Sequence, residues 1–280
     1  MKVLILGGDG MLAYALKQVF SFHKVVSFGH KTCDITDPYQ TESHIKALRP
    51  DLVLNCAAYT DVDGAESEKN LSELVNAIAV EALAQVCKKV DARLLHFSTE
   101  MVFGQEDPVA YTEDIEPRDP LNVYGKTKLM GERYIQQTWL KHYIVRTSWL
   151  FGPKGWNFID KVIDRANKEH KIEVVNDQWG CPTYTFDLAR AVYNLVIENS
   201  PFGIYHLTND GSISRDRFAW EIFDYSSLMC EITALPSSKL ITAAARPKNG
   251  VLLNTKRPQL PRWSDAMVEY LIGCGVMSAI

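Results

Sequence analysis

A short aliphatic run that ends in a cluster of glycines constrains the fold of this chain more than any other feature. Val3–Leu6 is followed by Gly-Gly-Asp-Gly, and the apolar residues of Met11–Phe20 then have helical spacing. Gly7 permits a tight turn, and Gly10 lets the backbone approach a pyrophosphate at the N-terminus of the helix. Because the third small position is Ala13, the spacing is the looser G-x-x-G-x-x-A form of a dinucleotide-binding turn.

Strand-like and helix-like segments alternate through the rest of the first half. The strand-like segments are Val25–Phe28, Asp51–Ala58, Leu94–Ser98 and Tyr143–Leu150, and the helix-like segments are Pro38–Leu48, Glu66–Val90 and Tyr124–Trp139. Strands joined through helices pair in parallel, and right-handed crossovers place the helices on both faces of the sheet. We therefore predict an α/β fold with a Rossmann-like, doubly wound parallel sheet over residues 1–151.

The second half of the chain is less regular and is broken by prolines. Its pattern indicates strands at Ile172–Val175 and Ile204–Leu207 and helices at Phe186–Glu198 and Asp216–Tyr225. We predict a smaller, mixed α/β C-terminal lobe over residues 152–280 that binds the substrate, with some segments returning to the main domain.

Composition and charge argue against several classes of function. The chain of 280 residues is 46% hydrophobic with a formal net charge of −4, so it has no general basic field for nucleic acid. No apolar run reaches the roughly 18 residues that a membrane helix needs. None of the six cysteines lies in a C-x-x-C pair, and none of the seven histidines in an H-x-x-x-H pair. We expect free thiols in the cytoplasm and no metal site.

The end of the second strand bears on the choice of dinucleotide. An acidic residue there would bind a ribose 2′-hydroxyl and repel a 2′-phosphate, but the sequence reads Ser-Phe-Gly-His-Lys. His30 and Lys31 can neutralise a phosphate, which favours NADPH over NADH. Asp34 and Ile35, slightly further on, are expected near the adenine.

A tyrosine and a lysine four residues apart form the candidate catalytic pair. Tyr124 and Lys128 make up a Y-x-x-x-K on a predicted helix, where this spacing puts both side chains on one face. An adjacent ammonium favours the phenolate, so the phenol can protonate a carbonyl oxygen as hydride arrives. Thr99 follows a buried strand, at the sheet edge where ligands bind, and its hydroxyl would complete the grip on the substrate oxygen. Together with the glycine turn, the three residues indicate a reductase.

With these residues in place, the chain resembles the dTDP-4-dehydrorhamnose reductase family of the extended short-chain dehydrogenases/reductases. The segments that carry the resemblance are Asn55–Thr60, Val62-Asp63, Ala65-Glu66, Ser98-Thr99, Val102-Phe103, Leu121–Leu129, Gly131-Glu132, Arg146–Gly152, Asn157-Phe158, Val175–Gln178, Gly180, Pro182-Thr183, Asp187–Ala189, Gly203–Leu207, Arg246-Pro247 and Asn249. They cover most of the chain, and their joint pattern is specific.

The resemblance implies reduction of the C4 keto group of dTDP-4-dehydro-6-deoxy-L-mannose, the last step to dTDP-L-rhamnose, by NADPH or NADH. The implied catalytic set is Thr99, Tyr124 and Lys128; the implied cofactor contacts are Gly7, Gly10, Met11, Leu12, Ala57, Ala58, Tyr59, Tyr124 and Lys128. The implied substrate contacts are Thr99, Glu100, Met101, Trp149, Asn157 and Arg246, whose charge suits a diphosphate. A homodimer is compatible with the resemblance. Some family members use Mg²⁺ at a dimer contact, but no carboxylate cluster here supports it.

Two departures from the family pattern bear on the substrate and the turn. The family usually reads Ser-Thr-Asp-Tyr-Val-Phe, whereas here Glu100 and Met101 replace the Asp and the Tyr that lie beside the sugar. A lost polar contact can alter discrimination strongly, because its partner on the substrate is left unpaired. The sugar therefore need not be the rhamnose precursor. The glycine turn also has Met11 where the family usually has glutamine.

Two other readings stay open. A dehydratase of the same superfamily carries an acid pair directly after the threonine, and here the second acid is replaced by Met101; an epimerase of that superfamily is the related alternative. A dinucleotide-binding regulatory subunit resembling that of methionine adenosyltransferase would need no turnover. The presence of Thr99, Tyr124 and Lys128 counts against that role.

Overall fold

The fold is described from a computed structural model over residues 1–104, 110–226 and 228–277. The strands are β1 (Lys2–Leu6), β2 (Lys24–Phe28), β3 (Leu52–Asn55), β4 (Arg93–Thr99), β5 (His142–Thr147), β6 (Leu150–Phe151), β7 (Lys171–Val175), β8 (Trp179–Gly180), β9 (Thr183–Tyr184), β10 (Gly203–His206), β11 (Ile213–Ser214), β12 (Glu231–Leu235) and β13 (Asn249–Gly250). The α-helices are α1 (Met11–Val19), α2 (Pro38–Leu48), α3 (Gly64–Ser67), α4 (Lys69–Glu73), α5 (Ala79–Val90), α6 (Val123–Thr138), α7 (Phe158–Lys168), α8 (Thr185–Ile197), α9 (Arg215–Ser226) and α10 (Trp263–Gly273).

A parallel sheet in the order β2-β1-β3-β4-β5-β10 forms the centre of the fold. Its strands are apolar on both faces, so Val3 and Ile5 enter one core while Leu4 and Leu6 enter the other. Helices α1 and α8 cover the first face, and α2, α5 and α6 cover the second. The predicted doubly wound α/β sheet is confirmed, and its strand order reverses between β1 and β3.

The single long helix predicted over Glu66–Val90 is wrong, because the structure divides this segment. Helices α3 and α4 precede a π-helical turn, Leu74–Ile78, and α5 follows it. The amide of the buried Asn76, in that turn, accepts from the backbone N–H of Tyr59 at 2.9 Å and donates to its carbonyl oxygen at 3.1 Å. It also donates to Thr127 Oγ1 at 3.2 Å. The helix is therefore interrupted where one amide ties the loop after β3 to α6.

Two predicted strands end earlier than the sequence pattern indicated. The strand expected over Tyr143–Leu150 stops at the end of β5, because Trp149 has a φ of 45° and the chain leaves the sheet there. The strand expected over Asp51–Ala58 stops at Asn55, whose side-chain oxygen accepts the backbone N–H two residues on at 3.2 Å. Both ends carry the loops that line the site described below.

Most elements after β5 pack around a separate aromatic core. Phe151 packs there against Tyr184, Phe218 and Tyr270. Helix α8 and strand β10 return to the main sheet, where α8 packs on α1 and β10 pairs with β5. The sequence did not indicate β12 or α10. The division of the chain into two domains at residue 152 stays a prediction. None of the helices in the described ranges is long and apolar enough to cross a membrane.

A buried ion pair joins α6 and β5. We expect it to matter for stability because each of its buried charges is compensated by the other. Arg146 Nη2 lies 2.6 Å from Glu132 Oε2, and both side chains are 1% exposed. Glu132→Gln should lower the free energy of unfolding by about 3–5 kcal/mol, because it leaves a buried guanidinium without its carboxylate. Denaturant unfolding followed by circular dichroism measures this loss. The control Asp164→Asn breaks an exposed pair with Lys168, and should cost less than about 1 kcal/mol. Equal losses in the two variants would contradict the expectation.

Candidate active site

A cavity of about 620 Å³ opens at the edge of the central sheet where the strands end. Its walls come from the turn after β1, the loop after β3, the end of β4, the first turns of α6 and the loop after β5. Ligands of open α/β sheets bind at this edge, beside the point where the strand order reverses. The predicted residues that line the cavity are Gly10, Met11, Leu12, Ala57, Ala58, Thr99, Glu100, Met101, Tyr124, Lys128, Trp149 and Asn157.

The glycine turn has the geometry that an approaching pyrophosphate needs. Gly7 has a φ of 73°, and a Cβ there would lie 2.5 Å from the backbone nitrogen of Ala57. The turn after β1 therefore lies against the loop after β3. Gly10 is the extended N-cap of α1, and Met11 and Leu12 begin the helix at the cavity wall. The first N–H groups of a helix have no partners within it, so this end of α1 favours an anion.

The residues predicted for the adenosine end lie outside the cavity. His30 and Lys31 are exposed beyond β2, and His30 Nδ1 lies 3.9 Å from Asp34 Oδ1. Burial raises the pKa of Asp34, but hydrogen bonds from Thr36 and the His30 charge outweigh it and lower the pKa overall. Ile35 is buried in the core on that side of the sheet. Their predicted contacts with a cofactor stay predictions.

Helix α6 is held close to the end of β4 by its first turn. Asn122 caps the helix, and its Oδ1 accepts the backbone N–H of Gly125 at 2.7 Å. A Cβ at Gly125 would collide with the carbonyl oxygen of Met101. This close approach places the phenol of Tyr124 within hydrogen-bonding reach of Thr99.

A chain of hydroxyl and carboxyl groups runs from the phenol into the protein. Thr99 Oγ1 donates to Glu100 Oε2 at 2.8 Å and accepts the backbone N–H of Met101 at 3.2 Å. The phenol of Tyr124 lies within hydrogen-bonding reach of the same Thr99 hydroxyl. The tyrosine, the threonine and the carboxyl group are therefore connected.

Burial determines the protonation of Tyr124 and Glu100, the two acidic groups in this series. Burial raises the pKa of Tyr124, and the charge of Glu100 raises it further, while the bond with Thr99 lowers it. Burial also raises the pKa of Glu100, against the effects of the Thr99 hydrogen bond and the Arg215 charge. Tyr124 is therefore a phenol at neutral pH and has a proton to donate.

Lys128 is buried one helical turn from Tyr124, with 1% of its surface exposed. Its Nζ donates to the carbonyl oxygen of Phe97 at 2.7 Å and lies 3.1 Å from His96 Nε2. Burial lowers the pKa of Lys128 to about 8, against the smaller opposing effects of Glu132 and Cys56. The lysine therefore changes protonation near physiological pH.

Arg215 is a site residue that the sequence analysis missed. It is the first residue of α9, and its guanidinium carbon lies 3.5 Å from the centre of the Trp149 ring and 4.7 Å from that of Phe158. It lines the cavity together with Glu100. Within the described ranges, its guanidinium has no hydrogen-bond or ion-pair partner. Burial lowers the pKa of Arg215, with Glu100 opposing, but a guanidinium stays charged in proteins.

Several predicted residues have their polar groups engaged by other residues. Asn157 lines the cavity, but its side chain caps α7 in a capping box with Asp160. Arg246 lines a small neighbouring cavity and forms a bidentate ion pair with Asp63, at 2.6 Å and 2.5 Å. This pair lowers the pKa of that carboxyl to about 2.

Tyr59 lies outside the large cavity that its neighbours line. Within the described ranges, no group of three or more His, Cys, Asp or Glu side chains could hold a metal ion.

The fold and this site define an oxidoreductase of the short-chain dehydrogenase/reductase type. The defining features are the glycine turn at the sheet's reversal point and the tyrosine, lysine and threonine of the same cavity. The profile of the family described as RmlD substrate binding domain matches residues 1–272, and the chain belongs to that family.

Named relatives match the chain over nearly its full length. The spore coat polysaccharide biosynthesis protein SpsK of Bacillus subtilis is 35% identical over 276 residues, which are 96% of each chain. The dTDP-4-dehydrorhamnose reductase of Salmonella typhimurium is 35% identical over 284 residues, or 94% of each chain. The crystal structure of dTDP-4-dehydrorhamnose reductase from Bacillus anthracis in complex with NADP superposes with a TM-score of 0.93 at 34% identity, covering 97% of this chain and 99% of that one.

Gly7→Ala is expected to damage the dinucleotide turn. The substitution adds a Cβ that lies 2.5 Å from the Ala57 nitrogen, at a position with a φ of 73° that favours glycine. We expect NADPH affinity, measured by fluorescence titration, to fall at least roughly tenfold, the equivalent of about 1.4 kcal/mol. Gly273→Ala is the control, because a Cβ there meets nothing within 4 Å. Unchanged affinity in a folded Gly7→Ala protein would contradict the role of the turn.

Proposed function

We propose that this protein reduces the C4 keto group of a dTDP-4-dehydro-6-deoxy sugar, converting dTDP-4-dehydrorhamnose to dTDP-L-rhamnose with NADPH or NADH. The observation that carries the proposal is the convergence of Thr99, Tyr124 and Lys128 in one cavity whose wall includes the glycine turn. A phenol that holds its proton and a turn that suits a pyrophosphate are the parts that a dinucleotide-dependent carbonyl reduction needs.

The relatives support both the substrate and the cofactor. The Salmonella protein is a dTDP-4-dehydrorhamnose reductase, and the Bacillus anthracis enzyme was solved with NADP. We infer NADPH as the preferred form, because His30 and Lys31 are exposed beyond β2 and the segment Ser-Phe-Gly-His-Lys itself contains no acidic residue. The six free cysteines fit a reducing compartment, and we place the enzyme in the cytoplasm.

The residues at the sheet edge fit a dinucleotide. Gly7, Gly10 and the start of α1 would hold its pyrophosphate, and Ala57 and Ala58 would form the wall beside it. The hydroxyls of Ser98 and Thr147 are buried at the cavity and have no hydrogen-bond partner among the described residues, so they can bind polar groups of a ligand. When bound, the reduced nicotinamide supplies the hydride.

The protein's own part of the reaction is to stabilise and protonate the oxygen of the ketone. Tyr124 gives its phenol proton to the oxygen that becomes an alkoxide. Thr99 lies beside Tyr124. When the buried carboxyl of Glu100 is protonated, the Thr99 hydroxyl is free to donate its hydrogen bond to the same substrate oxygen instead. Lys128 holds the cofactor and returns the phenolate to a phenol. Thr99 and Lys128 are buried, and hydrogen bonds of poorly solvated groups are stronger than those in water.

The substrate side of the cavity departs from the family pattern through Glu100 and Met101, and it contains the guanidinium of Arg215. We propose that Arg215 contacts the diphosphate of the sugar nucleotide, because its guanidinium has no acceptor in the part of the chain that the structure describes, while that of Arg246 is already bound by Asp63. The ring of Trp149 holds the guanidinium of Arg215 in place through a cation–π contact. The sugar then lies between Arg215 and the catalytic hydroxyls.

Turnover separates this function from its rivals. Purified protein is mixed with NADPH and a panel of 4-keto sugar nucleotides, and absorbance is followed at the nicotinamide band. Stoichiometric loss of NADPH with one of them supports the reductase. Product formed without net loss indicates a dehydratase or epimerase, and binding of the dinucleotide without any reaction indicates a regulatory subunit. Either outcome would overturn the proposal.

Tyr124→Phe should lower kcat by about 10²- to 10⁴-fold, because it removes the proton donor. NADPH affinity should change little, since the ring remains. The matched control is Tyr134→Phe on the same helix, which lies outside the cavity and should keep normal kcat. Steady-state kinetics and a binding titration provide both values. Near-normal kcat in the Tyr124 variant would rule out the assigned role.

Arg215→Met should raise the KM for the sugar nucleotide by roughly 10- to 100-fold, the worth of a hydrogen bond to a charged group. The Kd for NADPH should stay within about twofold, because the proposed contact is on the substrate side. Arg217→Met is the control, because Arg217 is exposed on the same helix. An unchanged KM in the Arg215 variant would exclude the diphosphate contact.

A further inference from the structure

A buried row of three polar side chains lies behind the cavity, and the proposed mechanism uses one end of it. Asn55 at the end of β3 lies 3.0 Å, measured from Nδ2, from His96 Nδ1. His96 Nε2 in turn lies 3.1 Å from Lys128 Nζ. Each of the three side chains is at most 1% exposed. A buried polar group needs a partner of the right kind, so the hydrogens in this row are constrained.

The direction of the row is fixed at Asn55. Its Oδ1 accepts the backbone N–H of Ala57 at 3.2 Å, which leaves the NH₂ group facing His96. An NH₂ group can only donate, so His96 Nδ1 is the acceptor and carries no hydrogen. Burial, and then the charge of Lys128, lower the pKa of His96 well below its usual value, so the ring is neutral. The one ring hydrogen is therefore on Nε2 and points at Lys128.

An N–H of His96 that points at Lys128 cannot accept a hydrogen bond from an ammonium. It can donate to an amine, whose nitrogen has a lone pair. From this geometry we infer that Asn55 and His96 form a positioning pair that stabilises the amine form of Lys128, the form the lysine has after it gives up its proton. The inference rests on the proposed function for its catalytic meaning, but its hydrogen positions can be tested in the free protein.

The proton balance gives this pair a role in the proposed reaction. Tyr124 loses a proton to the new alcohol and becomes a phenolate. The ammonium of Lys128 supplies the proton that restores the phenol, which leaves an amine. The N–H of His96 donates to that amine, and the amine then regains a proton from solvent. A lysine with a stabilised amine is a better acid. Burial acts in the same direction and lowers the pKa of Lys128 to about 8.

Three titratable groups in the described part of the chain face Lys128. They are His96 on β4, Cys56 after β3 and Glu132 on α6. Tyr124 precedes Lys128 by one turn of the same helix. Glu132 is held by Arg146 at 2.6 Å, and burial keeps the thiol of Cys56 protonated by raising its pKa. Cys56 therefore stays neutral near pH 8. His96 is the neighbour whose hydrogen position decides which form of Lys128 has a hydrogen-bond partner.

Asn55→Asp is the substitution that tests the inference, because it keeps the size of the side chain and the acceptor for Ala57. A carboxylate can only accept, so the hydrogen of His96 should move to Nδ1. Nε2 then becomes an acceptor for the ammonium of Lys128. The upper limb of the pH profile of kcat/KM should lie near pH 8 in the parent protein, and should rise by about one to two units in the variant. The exposed Asn194→Asp also adds one negative charge and should leave the limb unchanged.

Nitrogen-15 NMR of labelled imidazole in the ligand-free protein gives a readout without activity. The spectrum should show neutral His96 with its hydrogen on Nε2 in the parent protein and on Nδ1 in Asn55→Asp. A hydrogen on Nδ1 in the parent protein, or a pH limb that stays in place while the tautomer changes, would overturn the inference. The expected tautomers in a protein that reduces no keto sugar would contradict the proposed function and leave the hydrogen positions established.

Discussion

The close approach of α6 to the end of β4 is the contact on which the site depends. Gly125 lies where any side chain would collide with the carbonyl oxygen of Met101, and Asn122 caps the helix next to it. The phenol of Tyr124 is consequently within hydrogen-bonding reach of Thr99. If α6 lay farther from β4 by the width of a side chain, it would still contain the Y-x-x-x-K motif. Tyr124 and Lys128 would then not reach the end of the strand. The motif therefore depends on Gly125 as much as on Tyr124 and Lys128.

Burial sets the chemistry of these groups once they are assembled. It keeps Tyr124 protonated and Glu100 easier to protonate, and it makes Lys128 easier to deprotonate. Each shift favours the neutral form of its group, as expected where charge is poorly solvated. Burial at one site thus yields a proton donor, a carboxyl acceptor and a lysine that exchanges its proton near neutral pH. Arg215 stays charged there, because guanidinium is the weakest acid of the four and lies on an aromatic ring.

Local patterns with short spacings predicted the parallel sheet and singled out Tyr124 and Lys128, which line one cavity together with Thr99. The glycine turn after β1 and the helical repeat of Tyr124 and Lys128 are features of this kind. The position of Arg215 was not predicted, because it depends on how distant segments pack. The hydrogen bond from Thr99 to Glu100 joins neighbouring residues, but the direction of a hydroxyl cannot be inferred from their order in the sequence. One available signal was an arginine at the start of a predicted helix in the second half of the chain. The break in the long helix depends on Asn76 bonding to two other segments, which helical periodicity cannot reveal.

The central claim is that hydride from a reduced dinucleotide reaches the C4 carbon of a keto sugar nucleotide while Tyr124 protonates the oxygen. Transfer of isotope tests it most directly. The protein is supplied with NADPH deuterated at the reactive position of the nicotinamide and with dTDP-4-dehydrorhamnose, and the product is examined by NMR. The account predicts one deuterium at C4 of dTDP-L-rhamnose, with transfer strongly reduced in Tyr124→Phe. Product without deuterium at C4, or no product with a bound dinucleotide, would contradict it.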